Sequence, residues 1–207
     1  MKNNYTIRRE TAADHRTVEN LTREAFWNVY RPGCTEHYVL HQFRDRPEFV
    51  KELDLCLEVD GRIIGHVMFV HAKITADDGR VLPIMTFGPI SIHPDFQRKG
   101  YGKILLDHAL EKAAQMGVGA VCMEGNIGFY GKCGFDVASK SGIHYYAEPW
   151  EEVVPYFLLK QLQEGFLDGV TGVYQTPAGY FADESKVEEF DRQFPPKVKL
   201  KLPGQLV

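Results

Sequence analysis

Alternating apolar and polar residues dominate the first half of the chain. Residues 5–9 alternate as a short strand does, and residues 53–59, 62–75 and 80–92 form longer runs of strand type. Asp60-Gly61 stands between two of these runs, and an Asp-Gly pair readily adopts the positive φ angles of a tight hairpin turn. The pattern therefore predicts an antiparallel meander.

Helical spacing appears in three places before residue 117. Val18, Leu21 and Ala25 share a helix face after the capping-box sequence at 11–14, and a second helix is predicted at 35–44. A third helix is predicted at 104–116, between the strand 80–92 and a short apolar strand at 120–123. A strand, a helix and a strand in this order imply a right-handed crossover with parallel strands.

The last third of the sequence has weaker signals. Residues 150–163 have helical apolar spacing, with Pro155 where the first turn tolerates it, and residues 169–174 have the character of a strand. No linker rich in Gly, Ser or charge precedes this part. We expect residues 1–138 to form one domain and residues 139–207 to be an extension packed on it.

Composition narrows the class of protein. The chain has 207 residues, and 44% of them are hydrophobic, so it can bury a sizeable core. Its formal net charge of −4 argues against nucleic acid as a partner. It has no apolar run of membrane-spanning length and no secretory signal pattern, and its four cysteines form no C-x-x-C pair. These features predict a cytoplasmic protein without membrane contact.

The segment between the predicted fourth strand and the third helix is the strongest candidate for chemistry. Backbone N–H groups at a helix start bind anions, and glycines and cations favour that role. A Walker loop ending at Lys103 would need Gly at 97 and Ser or Thr at 104, and a dinucleotide loop would need Gly at 105; neither is present. The segment reads Gln97, Arg98, Lys99, Gly100, Tyr101, Gly102, Lys103.

This segment resembles the Q/R-x-x-G-x-G/A signature of the GNAT superfamily of N-acetyltransferases. A second segment, with Asn126, Tyr130 and Gly134-Phe135, is similar to the N…F-Y-x-x-x-G-F segment that follows the fifth strand of that family. The two motifs lie in the family's order on either side of the crossover. The resemblance implies an α/β fold with a mixed sheet: an antiparallel meander, a parallel β-α-β crossover and here a C-terminal extension.

The resemblance also implies a co-substrate and a reaction. Acetyl-CoA would lie between the fourth and fifth strands and transfer its acetyl group to a primary amine by direct attack. The family's coenzyme-binding positions correspond here to Ile90, Ser91, Ile92, Gln97, Arg98, Lys99, Gly100, Tyr101, Gly102, Lys103 and Asn126.

Two residues are candidates for proton transfer. In the GNAT superfamily, which the chain resembles, a tyrosine protonates the departing thiolate, and Tyr130 matches its position. Glu124, just past the fifth strand, is the candidate base for the amine. An N–H near Ile90 would hold the oxyanion of the tetrahedral intermediate. Packing for Tyr130, capping for Asn126 and simple solvation for Glu124 are the structural alternatives.

Several alternatives remain open at this stage. A non-catalytic acyl-CoA sensor would keep the loop at 97–103, and the acceptor is a small molecule or a peptide, with the protein a monomer or a homodimer. No metal is expected, because Cys34, His37 and His41 lack a fourth ligand and an H-E-x-x-H sequence. Cys122 and Cys133 lack a histidine partner in either motif and are not expected to carry the acyl group.

Overall fold

The computed structural model describes residues 4–206, which divide into two compact units. The first unit comprises residues 4–68, 89–105 and 178–206, and the second comprises residues 69–88 and 106–177. The helices and strands, in chain order, are β1 (Tyr5–Arg9), α1 (His15–Phe26), α2 (Glu36–Phe43), β2 (Leu55–Val59), β3 (Arg62–Ala76), β4 (Val81–Ile92), α3 (Tyr101–Gln115), β5 (Ala120–Glu124), α4 (Ile127–Tyr130), β6 (Asp136–Val137), β7 (Ile143–Tyr145), β8 (Phe157–Gln161), β9 (Gly172–Tyr174) and α5 (Glu184–Asp191).

The first unit contains the start of the meander. β1 pairs antiparallel with β2, and β2 pairs antiparallel with the first part of β3. Asp60 and Gly61 have φ of 50° and 75°, as the predicted hairpin turn requires. The last part of β4 continues this sheet, since the His93 N–H donates to the Ile64 carbonyl at 2.8 Å.

Helices α1, α2 and α5 supply the rest of the first unit's core. Val18, Leu40 and Phe43 are each fully buried. Arg23 is only 1% exposed and donates to Asp191 of α5 at 2.6 Å, so its charge is compensated where it is buried. The helices predicted at the positions of α1 and α2 are confirmed.

The second unit contains the parallel step of the sheet. β4 pairs parallel with β5 at Met85 and Val121, which confirms the predicted crossover. β8 pairs antiparallel with β5 and also with β6, while β9 pairs with β3 and β7. The buried apolar residues of the second unit include Ile74, Ile84, Cys122, Ile143, Phe157 and Tyr174.

The helix predicted at residues 150–163 is wrong. This part of the chain contains turns followed by strand β8. Phe157, Leu158 and Leu159 are consecutive and all buried, which suits an interior strand covered on both faces better than a helix with one apolar face. Pro155 lies in the turn before the strand, where its missing N–H has no helical role.

One helix boundary and one capping contact differ from the prediction. α3 begins at Tyr101 rather than at residue 104, so Gly102 and Lys103 belong to its first turn rather than to the preceding loop. Asp14 is the N-cap residue of α1, but its side chain accepts no hydrogen bond from the first turn of the helix. The carboxylate accepts hydrogen bonds from Thr11 and Arg8 instead. No helix among residues 4–206 is both long and apolar enough to cross a membrane.

Candidate active site

The loop before α3 lies in the first unit and is open to solvent. Residues 97–100 are all exposed, and α3 follows directly at Tyr101. Arg98 and Gly100 both have left-handed backbone conformations, with φ of 60° and 90°. A Cβ at Gly100 would meet nothing within 4 Å, so the conformation rather than crowding requires glycine there, and the space above the backbone is free for a ligand.

Contacts within the first unit fix the shape of this loop. The Gln97 side-chain amide donates to the Ile92 carbonyl at 3.0 Å, and the Lys99 ammonium donates to the Asp95 carbonyl at 2.7 Å. Lys99 also lies over the ring of Phe96, 5.2 Å from its centroid. Gln97 therefore stabilises the conformation of the loop, and the positive charge of Lys99 stays close to the loop backbone.

Strand β4 presents backbone rather than side-chain chemistry where the coenzyme was predicted to bind. Ser91 is fully buried, and its hydroxyl donates to the Thr22 hydroxyl at 2.9 Å. Ile90 and Ile92 are half-buried. The Ser91 side chain thus belongs to the core, which leaves main-chain groups as the means by which this segment can bind a ligand.

In the second unit, Asn126 and Tyr130 mark the two ends of α4. The Asn126 side-chain oxygen accepts a hydrogen bond from the Gly128 N–H at 2.8 Å, so Asn126 caps the helix. Tyr130 is half-buried, with its ring 5.9 Å from that of Phe87 and 6.0 Å from that of Phe135. A Cβ added at Gly125 would lie 2.3 Å from the Tyr130 ring, so glycine permits this placement.

Glu124 ends β5 and meets two hydroxyl groups of the second unit. Its Oε1 accepts from the Tyr145 hydroxyl and from the Thr176 hydroxyl, each at 2.9 Å, and those hydroxyls lie 3.1 Å apart. Burial, followed by the neighbouring Glu124 charge, raises the pKa of Tyr145 above its ordinary value and keeps the phenol protonated as a donor. Sequence reasoning missed Tyr145 and Thr176, which lie 21 and 52 residues from Glu124 without any motif that joins them.

The four cysteines are buried away from the candidate site's solvent-exposed groups. Cys34, Cys56, Cys122 and Cys133 are buried free thiols. Burial raises the pKa of Cys122 well above that of a free thiol, so it stays protonated at neutral pH.

The candidate metal residues of the sequence have other partners. Burial lowers the pKa of His37 to about 4, and its ring contacts Asp191 at 3.0 Å, whereas His41 contacts Glu19 at 2.9 Å. The two histidines therefore contact different carboxylates of the first unit.

A different group in the first unit brings ligand-type atoms together. Potential ligand atoms of Glu10, Asp54 and His66 lie within 4.8 Å of one another. The His66 Nε2 lies 2.7 Å from Asp54 Oδ1, and Arg44 lies 2.7 Å from Glu10 Oε1, so these buried charges compensate each other. Burial lowers the pKa of His66, but hydrogen bonds to Asp54 and Glu10 outweigh this effect and raise the value to about 9.

Comparison with known proteins places these features in a family. Residues 18–135 match the model of the acetyltransferase (GNAT) family, a range that includes the loop at 97–103, Glu124, Asn126 and Tyr130. The class defined by this fold is that of acyl-CoA-dependent N-acetyltransferases. The chain belongs to the acetyltransferase (GNAT) family, and the GNAT fold expected from its two motifs is confirmed.

Individual relatives are distant in sequence. The uncharacterized N-acetyltransferase YhbS of Escherichia coli K12 is 23% identical over 169 residues, which cover 82% of this chain and 94% of that protein. A ribosomal protein bS18 alanine N-acetyltransferase of Salmonella typhimurium is 32% identical over 85 residues, covering 34% of this chain and 57% of that protein.

Solved structures resemble the chain over most of its length. The structure of Escherichia coli YhbS in complex with CoA superimposes with a TM-score of 0.72 at 22% identity, covering 85% of this chain and 91% of that one. A Brucella melitensis GNAT acetyltransferase in complex with acetyl-CoA has a TM-score of 0.68 at 22% identity, covering 86% and 99%.

Proposed function

We propose that this enzyme transfers the acetyl group of acetyl-CoA to a primary amine by direct attack. The amine nitrogen forms a bond to the thioester carbonyl carbon, the tetrahedral intermediate collapses, and the carbon–sulfur bond breaks. The nitrogen loses a proton and the departing thiolate gains one, so the products are an acetamide and free CoA.

The observation that carries the proposal is the exposed loop that leads directly into α3. Its left-handed residues, Arg98 and Gly100, turn the chain into a helix whose first N–H groups lack intrahelical acceptors. We assign the coenzyme pyrophosphate to these amides, with Arg98 and Lys103 adding positive charge. The CoA and acetyl-CoA present in the two structural neighbours support this assignment.

The remaining roles follow from the chemistry of the transfer. Main-chain groups of Ile90 to Ile92 are proposed to bind the pantetheine amides, and an N–H near Ile90 to stabilise the oxyanion. Asn126 keeps a side-chain amide N–H for the coenzyme while its oxygen caps α4. Tyr130 is the proposed proton donor to the thiolate, and Glu124 the proposed proton acceptor for the amine.

The buried thiols favour attack without an acyl-enzyme. Cys122 is fully buried with a raised pKa, so it offers neither a thiolate nor a path for the thioester. Direct attack needs only a neutral amine, and an alkylamine with a pKa near 10 must lose a proton to become one.

Ligand-dependent melting and thiol release together test the proposal. CoA is expected to raise the melting temperature by mass action, and acetyl-CoA is expected to release free thiol faster when a suitable amine is added. Absence of any CoA-dependent stabilisation contradicts the proposed donor. Stabilisation without thiol release for any amine in a broad panel favours the alternative function, a non-catalytic acyl-CoA sensor.

A further inference from the structure

The Glu124 carboxylate is held from one side by two hydroxyl groups of the C-terminal part of the chain. Tyr145 ends strand β7 and Thr176 follows strand β9, yet both hydroxyls reach the same oxygen, Oε1. A carboxylate oxygen with two donors has a fixed direction, because any rotation of the group breaks at least one hydrogen bond.

The surroundings keep these two donors in place. Thr176 is only 9% exposed, and the Tyr145 ring packs 5.2 Å from the ring of Phe157 and 6.4 Å from that of Tyr174. Gly125, the next residue after Glu124, donates its N–H to the Tyr156 carbonyl at 2.7 Å. The carboxylate is therefore fixed through its backbone and through Oε1 while its side chain stays exposed to solvent.

We infer that Tyr145 and Thr176 are positioning residues that aim the Glu124 carboxylate at the ammonium group of the acceptor. This inference rests on the proposed transfer to an amine and gives residues 143–176 a part in acceptor recognition. The carboxylate binds the alkylammonium ion, accepts one of its protons and releases that proton to water, while the freed nitrogen lone pair attacks the thioester.

Local charge agrees with a cationic acceptor. Between Lys140 and Lys160 the chain has three glutamates and neither lysine nor arginine. One of them, Glu148, accepts from the Tyr156 hydroxyl at 3.3 Å, and the Tyr156 ring lies 6.1 Å from that of Tyr145. Carboxylates and tyrosine rings both attract alkylammonium ions.

A comparison of two nucleophiles distinguishes a positioning role of Tyr145 and Thr176 from a purely structural role. Butylamine is protonated at neutral pH and needs Glu124, whereas acetohydrazide has a neutral terminal nitrogen that needs no deprotonation before attack. Tyr145→Phe and Thr176→Val each remove one hydrogen bond to a charged group. Each is expected to lower kcat/KM for butylamine about tenfold and to leave that for acetohydrazide within about twofold.

Matched variants complete the experiment. Thr176→Ser retains the hydroxyl and is expected to keep the butylamine rate of the wild type. Thr171→Val removes a threonine hydroxyl that donates to Asp77 instead of Glu124, and it is expected to leave both rates unchanged. Glu124→Gln is expected to show the same selective loss as Tyr145→Phe, and to a larger extent. CoA-induced stabilisation should be the same in all five variants.

The two proposals fail in different ways. A protein that CoA does not stabilise, or that releases no thiol with either nucleophile, contradicts the proposed function and this inference with it. The positioning role alone is overturned if the enzyme is active but Tyr145→Phe and Thr176→Val have the kcat/KM values of the wild type. It is also overturned if these variants lower kcat/KM equally for both nucleophiles.

Discussion

Gly125 and Tyr130 depend on each other at the scale of single residues. The tyrosine ring occupies the place that a Cβ at Gly125 would take, with only 2.3 Å between the added atom and the ring. The ring also lies 4.8 Å from that of Phe129, edge to face. The position of the proposed proton donor is therefore set by a neighbouring residue without a side chain.

Tyr130→Phe is expected to lower turnover while leaving coenzyme binding nearly intact. Phenylalanine keeps the ring contacts with Phe87 and Phe135, and only the hydroxyl that would protonate the thiolate is lost. We expect kcat to fall by about 100-fold, the usual contribution of a positioned acid. Thiol-release kinetics with parallel CoA titrations measure this, and an unchanged kcat would exclude Tyr130 as the acid.

Gly125→Ala is expected to destabilise the protein by about 1–3 kcal/mol, because the new methyl group collides with the Tyr130 ring. Gly131→Ala is the matched control: its added Cβ would meet Ile127 at an ordinary 3.6 Å, and its backbone is right-handed helical. Urea denaturation of both variants tests the expectation. Equal stability of the two would show that Tyr130 moves aside without cost.

At the scale of elements, the two ends of α3 have opposite electrostatic demands. Lys103 lies in the first turn, where the helix dipole favours a negative side chain, and Lys112 is the basic residue of the last turn. Lys103→Glu is expected to weaken CoA binding about tenfold, because it places a negative charge beside the proposed pyrophosphate site. Lys112→Glu should lower stability and leave CoA binding unchanged.

Melting temperatures without ligand and CoA titrations by calorimetry measure both quantities. Undiminished CoA affinity in Lys103→Glu would remove the pyrophosphate from this end of α3. The pair of variants is informative because Lys112→Glu makes the same change of charge at the other end of the helix, away from the proposed pyrophosphate site.

Some elements were predictable from the sequence because their signals are local. Asp60-Gly61 encodes its hairpin turn directly, and the strand–helix–strand order around α3 permits one common topology. Strand β8 was not predictable, since its three consecutive apolar residues suit a helix or a buried strand equally until β5 and β6 are known to flank it.

The candidate site also contains some residues that the sequence predicts and others that it does not. The loop at 97–103 and the segment from Asn126 to Tyr130 are contiguous motifs, so the sequence contains them whole. Tyr145 and Thr176 reach Glu124 only through the pairing of β7 with β9, a contact that no periodicity specifies.

At the scale of the whole molecule, the buried cluster of Glu10, Asp54 and His66 makes stability depend on pH. The folded pKa of His66 is raised to about 9 from 6.5, so its contribution is complete below 6.5 and is lost as pH rises through 9. Burial raises the pKa of Glu10, but its interactions with His66, Asp54 and Arg44 together outweigh burial and lower the value to about 2, so its contribution is lost as pH falls. His37, with a pKa lowered to about 4 by burial, adds to the acid-side loss.

The unfolding free energy is therefore expected to be largest near pH 6.5 and to fall toward pH 9. His66→Gln should be less stable than the wild type and should lose most of the alkaline slope, whereas the exposed His71→Gln should keep it. Urea unfolding at several pH values measures the slopes. An alkaline slope that survives in His66→Gln would assign it to another group.

The burial of all four thiols has a practical consequence for chemical labelling. A maleimide or disulfide reagent added to the native protein meets no accessible cysteine, so colour or mass gained in a transferase assay comes from liberated CoA rather than from the enzyme. In denaturant the same reagent should count four thiols per chain. Cysteine modification thus reports opening of the core, residue by residue, in a protein that needs no engineered label.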